Sequence, residues 1–246
     1  MRIETPLFRI RDLEIRYDSR RPGHPDLSVS RLDLYEGETV FLTGPNGSGK
    51  STFLKALNAL VEVHAGSLEY RGGASAQRRE TVYLHQHPYI FAGSVEYNTG
   101  FACRAARLDA AETKRRSEKA MTLVGLAGYS GRRHRQLSGG EAQRVALARV
   151  IASEAKVFLL DEPTASADAE SARLISLALR TLASQGRTLL VATHDPSFIL
   201  DFSEIPDCRK LAFRRGELES DTVVSEPRER AKAHAIPESP GVLEAE

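Results

Sequence analysis

The segment Gly44-Pro45-Asn46-Gly47-Ser48-Gly49-Lys50-Ser51 constrains what this chain can fold into more than any other stretch of it. Thr39 to Thr43, just before it, reads as a compact apolar strand, and Ser51 to Leu60, just after it, sets Phe53, Leu54, Leu57 and Leu60 at helical spacing. A glycine loop joining a strand to a helix is the setting in which this spacing binds phosphate. The glycines let successive backbone N–H groups turn inward around phosphate oxygens, and the helix N-terminus adds partial positive charge. Lys50 is then placed to reach the β- and γ-phosphates of a nucleotide, Ser51 to offer its hydroxyl to Mg²⁺, and Thr52 to belong to the same binding loop. A turn that only packed a strand on a helix would not need Lys50 and Ser51 in register with the helix start. Alone, the loop implies a nucleotide phosphate and leaves kinases, GTPases and motors all open.

The remaining sequence narrows the class. A length of 246 residues suits one large α/β domain with a smaller subdomain. Cys103 and Cys208 sit far apart and in no metal-ligand spacing, which suggests packing residues in a reducing compartment. The 34 basic and 33 acidic residues nearly cancel, so the overall balance does not point to nucleic acid. Clusters at Arg78-Arg79, Lys114 to Arg116 and Arg132 to Arg135 read as solvated faces. Met1 to Ile10 alternates charged and apolar residues, unlike a signal peptide, and no later apolar run is long enough to cross a bilayer. Any membrane role is therefore expected to pass through other proteins, without direct insertion.

Periodicity supplies a coarse map. Phe8/Ile10 and Leu13/Ile15/Tyr17 are two short alternating runs that read as half-buried antiparallel strands, broken by the prolines and glycine of Arg20 to Asp26. Ser67 to Tyr70 and Thr81 to His85 read as strands separated by a loop containing Gly72 and Gly73. From Asp109 to Leu126 the pattern is helical, with Asp109 and Glu112 spaced as a capping box. Ser138 and Glu141 repeat that spacing before a helix to about Ser153, whose apolar face is Ala142, Val145, Ala146 and Val150. A buried strand at Val157 to Leu160, a helix from Asp168 to Gln185 closed by Gly186, and a strand at Thr188 to Ala192 follow, an alternation that implies parallel strands with crossover helices. Lys210 to Leu218 reads as a hairpin turning at Arg215-Gly216, and the charged, proline-containing stretch after Asp221 as a mobile tail.

Asp161 and Glu162 follow the strand at Val157 to Leu160, so both carboxylates emerge at the carboxyl edge, where open α/β sheets bind ligands. Asp161 suits a Mg²⁺-linked role; Glu162 suits a general base that orients and deprotonates an attacking water. Helix-capping or surface acids would look the same in isolation, and the upstream glycine loop decides for catalysis.

Leu137-Ser138-Gly139-Gly140-Glu141 reads first as a capping box, yet two adjacent glycines in a first helical turn cost helix stability and imply close approach by something. With this segment the chain resembles the ATP-binding cassette (ABC) ATPases, whose signature it carries, and the resemblance runs from Leu7 to Leu218 with the motifs in the family's order. It implies a P-loop NTPase (RecA-like) α/β core with a mostly parallel sheet, an N-terminal antiparallel β subdomain and an inserted helical subdomain. The ATPase domain would cover 1–220, the insert about 88–153, and the tail 221–246. In the family, the group that approaches the signature glycines is the γ-phosphate of ATP held by the opposite subunit. Tyr17 matches the aromatic position that stacks on adenine, with a strand-end core tyrosine as the alternative. Gln86 matches the glutamine that links the Mg²⁺ site to the transmembrane partner, and Asp168 the loop that crosses the dimer interface, with Ala167 in place of a commoner leucine. His194 matches the switch histidine that contacts the γ-phosphate. His85 and His87 flank Gln86 without an evident third ligand, and His134 reads as a surface residue, so no metal is assigned to them.

The resemblance further implies a head-to-tail dimer of identical chains, each ATP sandwiched between two copies and hydrolysis releasing them. Integral membrane permease subunits would be the partners, with a separate solute-binding protein, and the chain would sit on the cytoplasmic face of the cell membrane. The apolar stretch Pro88 to Val95 suits docking of a short permease helix, with internal packing as the alternative. His87 to Asn98 is similar to importer ATPases for small oxyanions, which implies import. A soluble ABC protein of cofactor assembly or regulation, and an exporter subunit, are the competing readings.

Overall fold

The computed structural model describes residues 5–17 and 25–225. Its first strand, β1 (Phe8–Ile15), is continuous, where two short runs were expected. Asp12 adopts φ 48°, and the register against its neighbour shifts between Arg11 and Glu14, so a bulge rephases the alternation. Phe8, Ile10, Leu13 and Ile15 consequently all reach the core. The same offset recurs in β2 (Leu27–Leu34), a strand the periodicity did not reveal, whose Leu27, Val29, Leu32 and Leu34 are buried. The break expected at Arg20 to Asp26 lies largely outside the described residues.

β3 (Thr39–Thr43) leads into α1 (Lys50–Leu57). The helix stops short of Leu60, which is 56% exposed, because Ala59 turns into the left-handed region at φ 55°. After β4 (Ala65–Tyr70) comes α2 (Gly73–Glu80), where a loop was expected; Gly72 and Gly73 begin this helix. Then follow β5 (Thr81–Leu84), α3 (Val95–Thr99), α4 (Phe101–Ala105), α5 (Ala110–Leu123), a single 3₁₀ turn (His134–Gln136), and α6 (Gly139–Ile151). The chain continues through β6 (Val157–Asp161), α7 (Ala169–Ser184), β7 (Thr188–Ala192), α8 (Pro196–Leu200), β8 (Cys208–Arg214) and β9 (Glu217–Val223). The last hairpin turns at Arg215 and Gly216, both at positive φ, as the sequence suggested. It runs further than expected: Asp221 and Thr222 pair with Leu211 and Lys210, so the sheet includes the start of the predicted tail. Residues 226–246 lie outside the described residues.

Among the described residues, one sheet of nine strands, in the order β4-β1-β2-β9-β8-β3-β7-β6-β5, organises these elements. β1 pairs antiparallel with β2 and β4, whereas β8-β3-β7-β6-β5 run parallel to one another. Every residue of β6 and β7 is buried, as expected for parallel strands covered on both faces. One apolar core joins Val40, Leu42, Leu159 and Leu190 to α1 and the antiparallel strands. The other joins Phe41, Phe158, Leu160 and Val191 to α5, α6, α7 and the Phe198/Phe202 pair. Cys103 and Cys208 are both buried and unpaired.

α6 is enclosed more completely than an amphipathic reading allows. Ala142, expected on its apolar face, is only half-buried, while Gln143 and Arg144 are 2% and 7% exposed. Both find backbone acceptors: Gln143 Nε2 donates to Pro163 O at 3.0 Å, and Arg144 Nη1 to Val124 O and Gly125 O. At the opposite end of the core strands, Arg209 lies between Glu38 and Asp221 and ties the start of β3 to the terminal hairpin.

Candidate nucleotide site

The parallel order β3-β7-β6-β5 brings the carboxyl ends of four strands to one edge. Leu42 is level with Ala192 and Ala192 with Asp161, while Leu84 is level with Leu160. The glycine loop, His194, Asp161, Glu162 and Gln86 therefore leave adjacent strands side by side, although they come from distant parts of the chain. Two loop amides prolong the ladder beyond the strands, Thr193 N donating to Leu42 O and Glu162 N to Ala192 O.

At the head of the loop, a Cβ on Gly44 would lie 2.0 Å from Phe213 O, so only glycine lets β3 pass the β8–β9 hairpin. That hairpin also holds the loop from below, with Gly216 N donating to Ser48 O. Gly49 precedes α1 and supplies no side-chain cap, which leaves the first-turn amides free for an anion. Lys50 is 6% exposed, and its Nζ donates to Gly44 O at 2.7 Å and Pro45 O at 3.1 Å, so the ammonium already lies folded over the loop. Ser48 Oγ is buried with no hydrogen-bond partner among the described residues. Asn46, Gly47, Ser51 and Thr52 complete the loop and first turn as predicted. Tyr17 is 59% exposed and its hydroxyl meets Thr52 Oγ1 at 3.2 Å, which removes the core-tyrosine alternative and stands the ring beside the loop.

Glu162 leaves β6 at φ 47°, is 6% exposed, and its Oε2 lies 2.9 Å from Nδ1 of His194. The histidine side chain is 68% exposed, so the pair reaches from a buried carboxylate to the surface. Asp161, 4% exposed, accepts a hydrogen bond on Oδ2 from the Tyr83 hydroxyl at 2.8 Å. Burial and the Asp161 charge push the Tyr83 phenol well above its usual range. Gln86 lies in an exposed loop just beyond β5. Among the residues that the sequence did not single out, Tyr83 reaches Asp161 of this site, and Gln143 holds Pro163 O, the residue that follows Glu162. Each looks in the sequence like one more position of an apolar strand or helix.

Ser138, Gly139, Leu137 and Glu141 lie at the start of α6. The capping box is complete: Glu141 N donates to Ser138 Oγ and Ser138 N to Glu141 Oε2, which holds the Glu141 carboxylate below the usual range. Ser138 and Gly139 are exposed. Gly140 is buried, and a Cβ there would come 2.4 Å from Ser171 Oγ and 2.9 Å from Asp168 Oδ2. A close neighbour that requires this second glycine is thus the chain's own α7, on the side where a side chain would stand. Asp168 serves α7 as its N-cap, its carboxylate accepting from Ser171 N at 2.7 Å. His134 Nδ1 accepts from Gly93 N at 3.3 Å, a half-buried rather than free surface position.

The stretch Pro88 to Val95 is fixed by Asn98, which is fully buried, accepts from Phe91 N and donates to Phe91 O. Phe91 stacks on Phe101 at 4.5 Å and under Arg149, while Tyr89 stays 71% exposed. Packing and an outward aromatic surface therefore coexist in it.

The family described as ABC transporter matches residues 27–165, more than half of the chain. This chain belongs to the ABC transporter ATP-binding family. Among curated relatives, a sulfate/thiosulfate import ATP-binding protein, CysA of Gloeobacter violaceus, is 39% identical over 71% of this chain and 52% of its own length. A pyoverdine export ATP-binding/permease protein, PvdT of Pseudomonas fluorescens, is 31% identical over 95% of this chain and 36% of its own. Of solved structures, the dimeric ATP-binding cassette MJ0796, bound to ADP and Pi after hydrolysis, superposes with a TM-score of 0.77 at 25% identity, covering 88% of this chain and 98% of that one. The fold is that of an ABC ATPase, with a mixed, mostly parallel sheet and an antiparallel N-terminal part.

Proposed function

We propose that this chain hydrolyses ATP as one of two identical copies and so powers passage of a solute through partner permease chains, on the cytoplasmic face of the cell membrane. The observation that carries this reading is the Glu162–His194 contact at 2.9 Å on neighbouring strand ends beside the glycine loop. A buried carboxylate held by an exposed imidazole is suited to take a proton from a water poised outside it, at the point where the γ-phosphate would emerge from the loop. Lys50 would exchange its two carbonyl contacts for phosphate oxygens, and the unpartnered Ser48 hydroxyl has a donor to offer there. Tyr17 presents an exposed ring for adenine.

The residues fit Mg²⁺. Ser51, Asp161 and Gln86 offer only oxygen donors, hydroxyl, carboxylate and carboxamide, which suit a hard cation. When bound, the ion would neutralise charge on the β- and γ-oxygens. Ser138 and Gly139 are exposed at the open N-terminus of α6, where a second copy could present its nucleotide to them. The region 88–153 would act as the helical insert, with Tyr89 and the adjoining loop receiving a permease helix. Import of a small oxyanion, with a separate solute-binding protein, is supported by the likeness of His87 to Asn98 to oxyanion importers and by the sulfate/thiosulfate relative.

Glu162→Gln tests the chemistry. ATP binding should persist while turnover falls about 10²- to 10⁴-fold, the usual size of a general-base contribution. Hydrolysis at a near-normal rate would refute the role. Co-purification with an integral membrane protein encoded beside it, and solute uptake by the pair, tests transport and its direction.

A further inference from the structure

Tyr83 and Asp161 stand on neighbouring parallel strands, with Tyr83 level with Leu159. Side chains alternate along a strand, so Asp161, two residues past Leu159, rises from the same face as Tyr83. Val157, Leu159 and Tyr83 pack together on that face, beneath α1, which touches both strands and begins with Lys50 and Ser51. The 2.8 Å hydrogen bond from Tyr83 thus reaches Asp161 on the side where the glycine loop opens. Among the described residues no donor reaches the other oxygen, Oδ1. The ring that carries the hydroxyl is itself braced by an edge contact with His85, at 4.6 Å.

We infer that Tyr83 is a positioning residue for Asp161: its hydroxyl occupies Oδ2, fixes the plane of the carboxylate, and presents Oδ1 to the metal ion of a bound nucleotide. The inference rests on the reading of Asp161 as a Mg²⁺ ligand. A carboxylate turns about its Cβ–Cγ bond at little cost, and a donor on one oxygen removes that freedom before the metal arrives. Loss of such a partner commonly costs 10- to 100-fold in metal affinity. Tyr83 also lies on the strand that feeds Gln86 and the apolar loop beyond it, so a shift of that strand would be felt at the carboxylate.

The test compares the full-length parent chain with Tyr83→Phe and Asp161→Asn, using Mn²⁺ and its paramagnetic resonance spectrum as the probe, in the presence of a non-hydrolysable ATP analogue. Affinity for the analogue in EDTA and the melting temperature are measured alongside. Tyr83→Phe should raise the Mn²⁺ dissociation constant by about tenfold, leaving metal-free nucleotide affinity and melting temperature close to the parent's. Unchanged Mn²⁺ affinity in Tyr83→Phe, with clear weakening in Asp161→Asn, overturns the role of Tyr83 alone. If Asp161→Asn also binds Mn²⁺ normally, the reading of Asp161 falls first and the inference falls with it. Equal loss of metal-free nucleotide affinity in Tyr83→Phe would mean general damage to the loop and would also overturn it.

Discussion

Glu162 has its backbone fixed before its side chain acts. The residue sits in the left-handed region, its N–H is bound by Ala192, and its carboxylate is bound by His194. Such over-determination is how an unfavourable backbone is retained at a site. Gly140 shows the same economy of space. Alanine there would put a methyl group 2.8 Å from Ser171 Cβ, which no rotamer change relieves. Gly140→Ala should destabilise the fold by about 1–3 kcal/mol, an overpacking cost, seen as a lower melting temperature, and Ser171→Gly in the same chain should restore part of it. The site residues that a single sequence shows are those whose type is chemically odd for their place: a lysine after a glycine loop, two acids ending an apolar strand. Tyr83 and Gln143 are ordinary residues in ordinary patterns, and only the partners they reach, Asp161 and Pro163 O, set them apart.

At the scale of elements, capping signals placed the helix starts well, and α6 and α7 begin where Ser138 and Asp168 predict. At α5 the box is half made. Asp109 accepts from Glu112 N at 2.8 Å, but the Glu112 side chain turns to Arg115 and Arg116, whose hydrogen bonds lower its pKa to about 2. Asp109→Ala should accordingly cost about 1 kcal/mol, measured by denaturant unfolding, with faster hydrogen exchange at the Glu112 amide. The misses share one cause. Strict alternation cannot see a bulge, so β1 read as two strands and β2 was passed over; glycines read as loop markers hid the start of α2. Each is a local backbone departure that tertiary contacts compensate.

For the molecule as a whole, several carboxylates are held ionised by the fold. Glu80 accepts from the Tyr70 hydroxyl and from Lys156, and Asp195 from Ser197; all lower the carboxylate pKa, as the Ser138 amide does for Glu141. A folded pKa below the unfolded value means that the unfolded chain binds more protons in acid. The stability they contribute is present above about pH 4.3 and is lost as pH falls through the lowered folded values. Thermal melts should be level near neutrality and decline steeply in that acid window, less so for Glu80→Gln. Parallel β-α alternation made the core of this architecture readable, whereas the sheet order was not, because β7 and β8 enter beside β3 from far along the chain.

That order sets a timetable for synthesis. Both neighbours of β3, the strand that delivers the phosphate loop, come from residues 188–192 and 208–214. While a ribosome is still making the chain, the loop leaves the exit tunnel early, and its strand has neither flanking partner until residues 188–214 follow. A nascent chain halted before Thr188 would thus carry every residue of the glycine loop and still lack both strands that flank its own, so ATP could reward only a chain grown past β8.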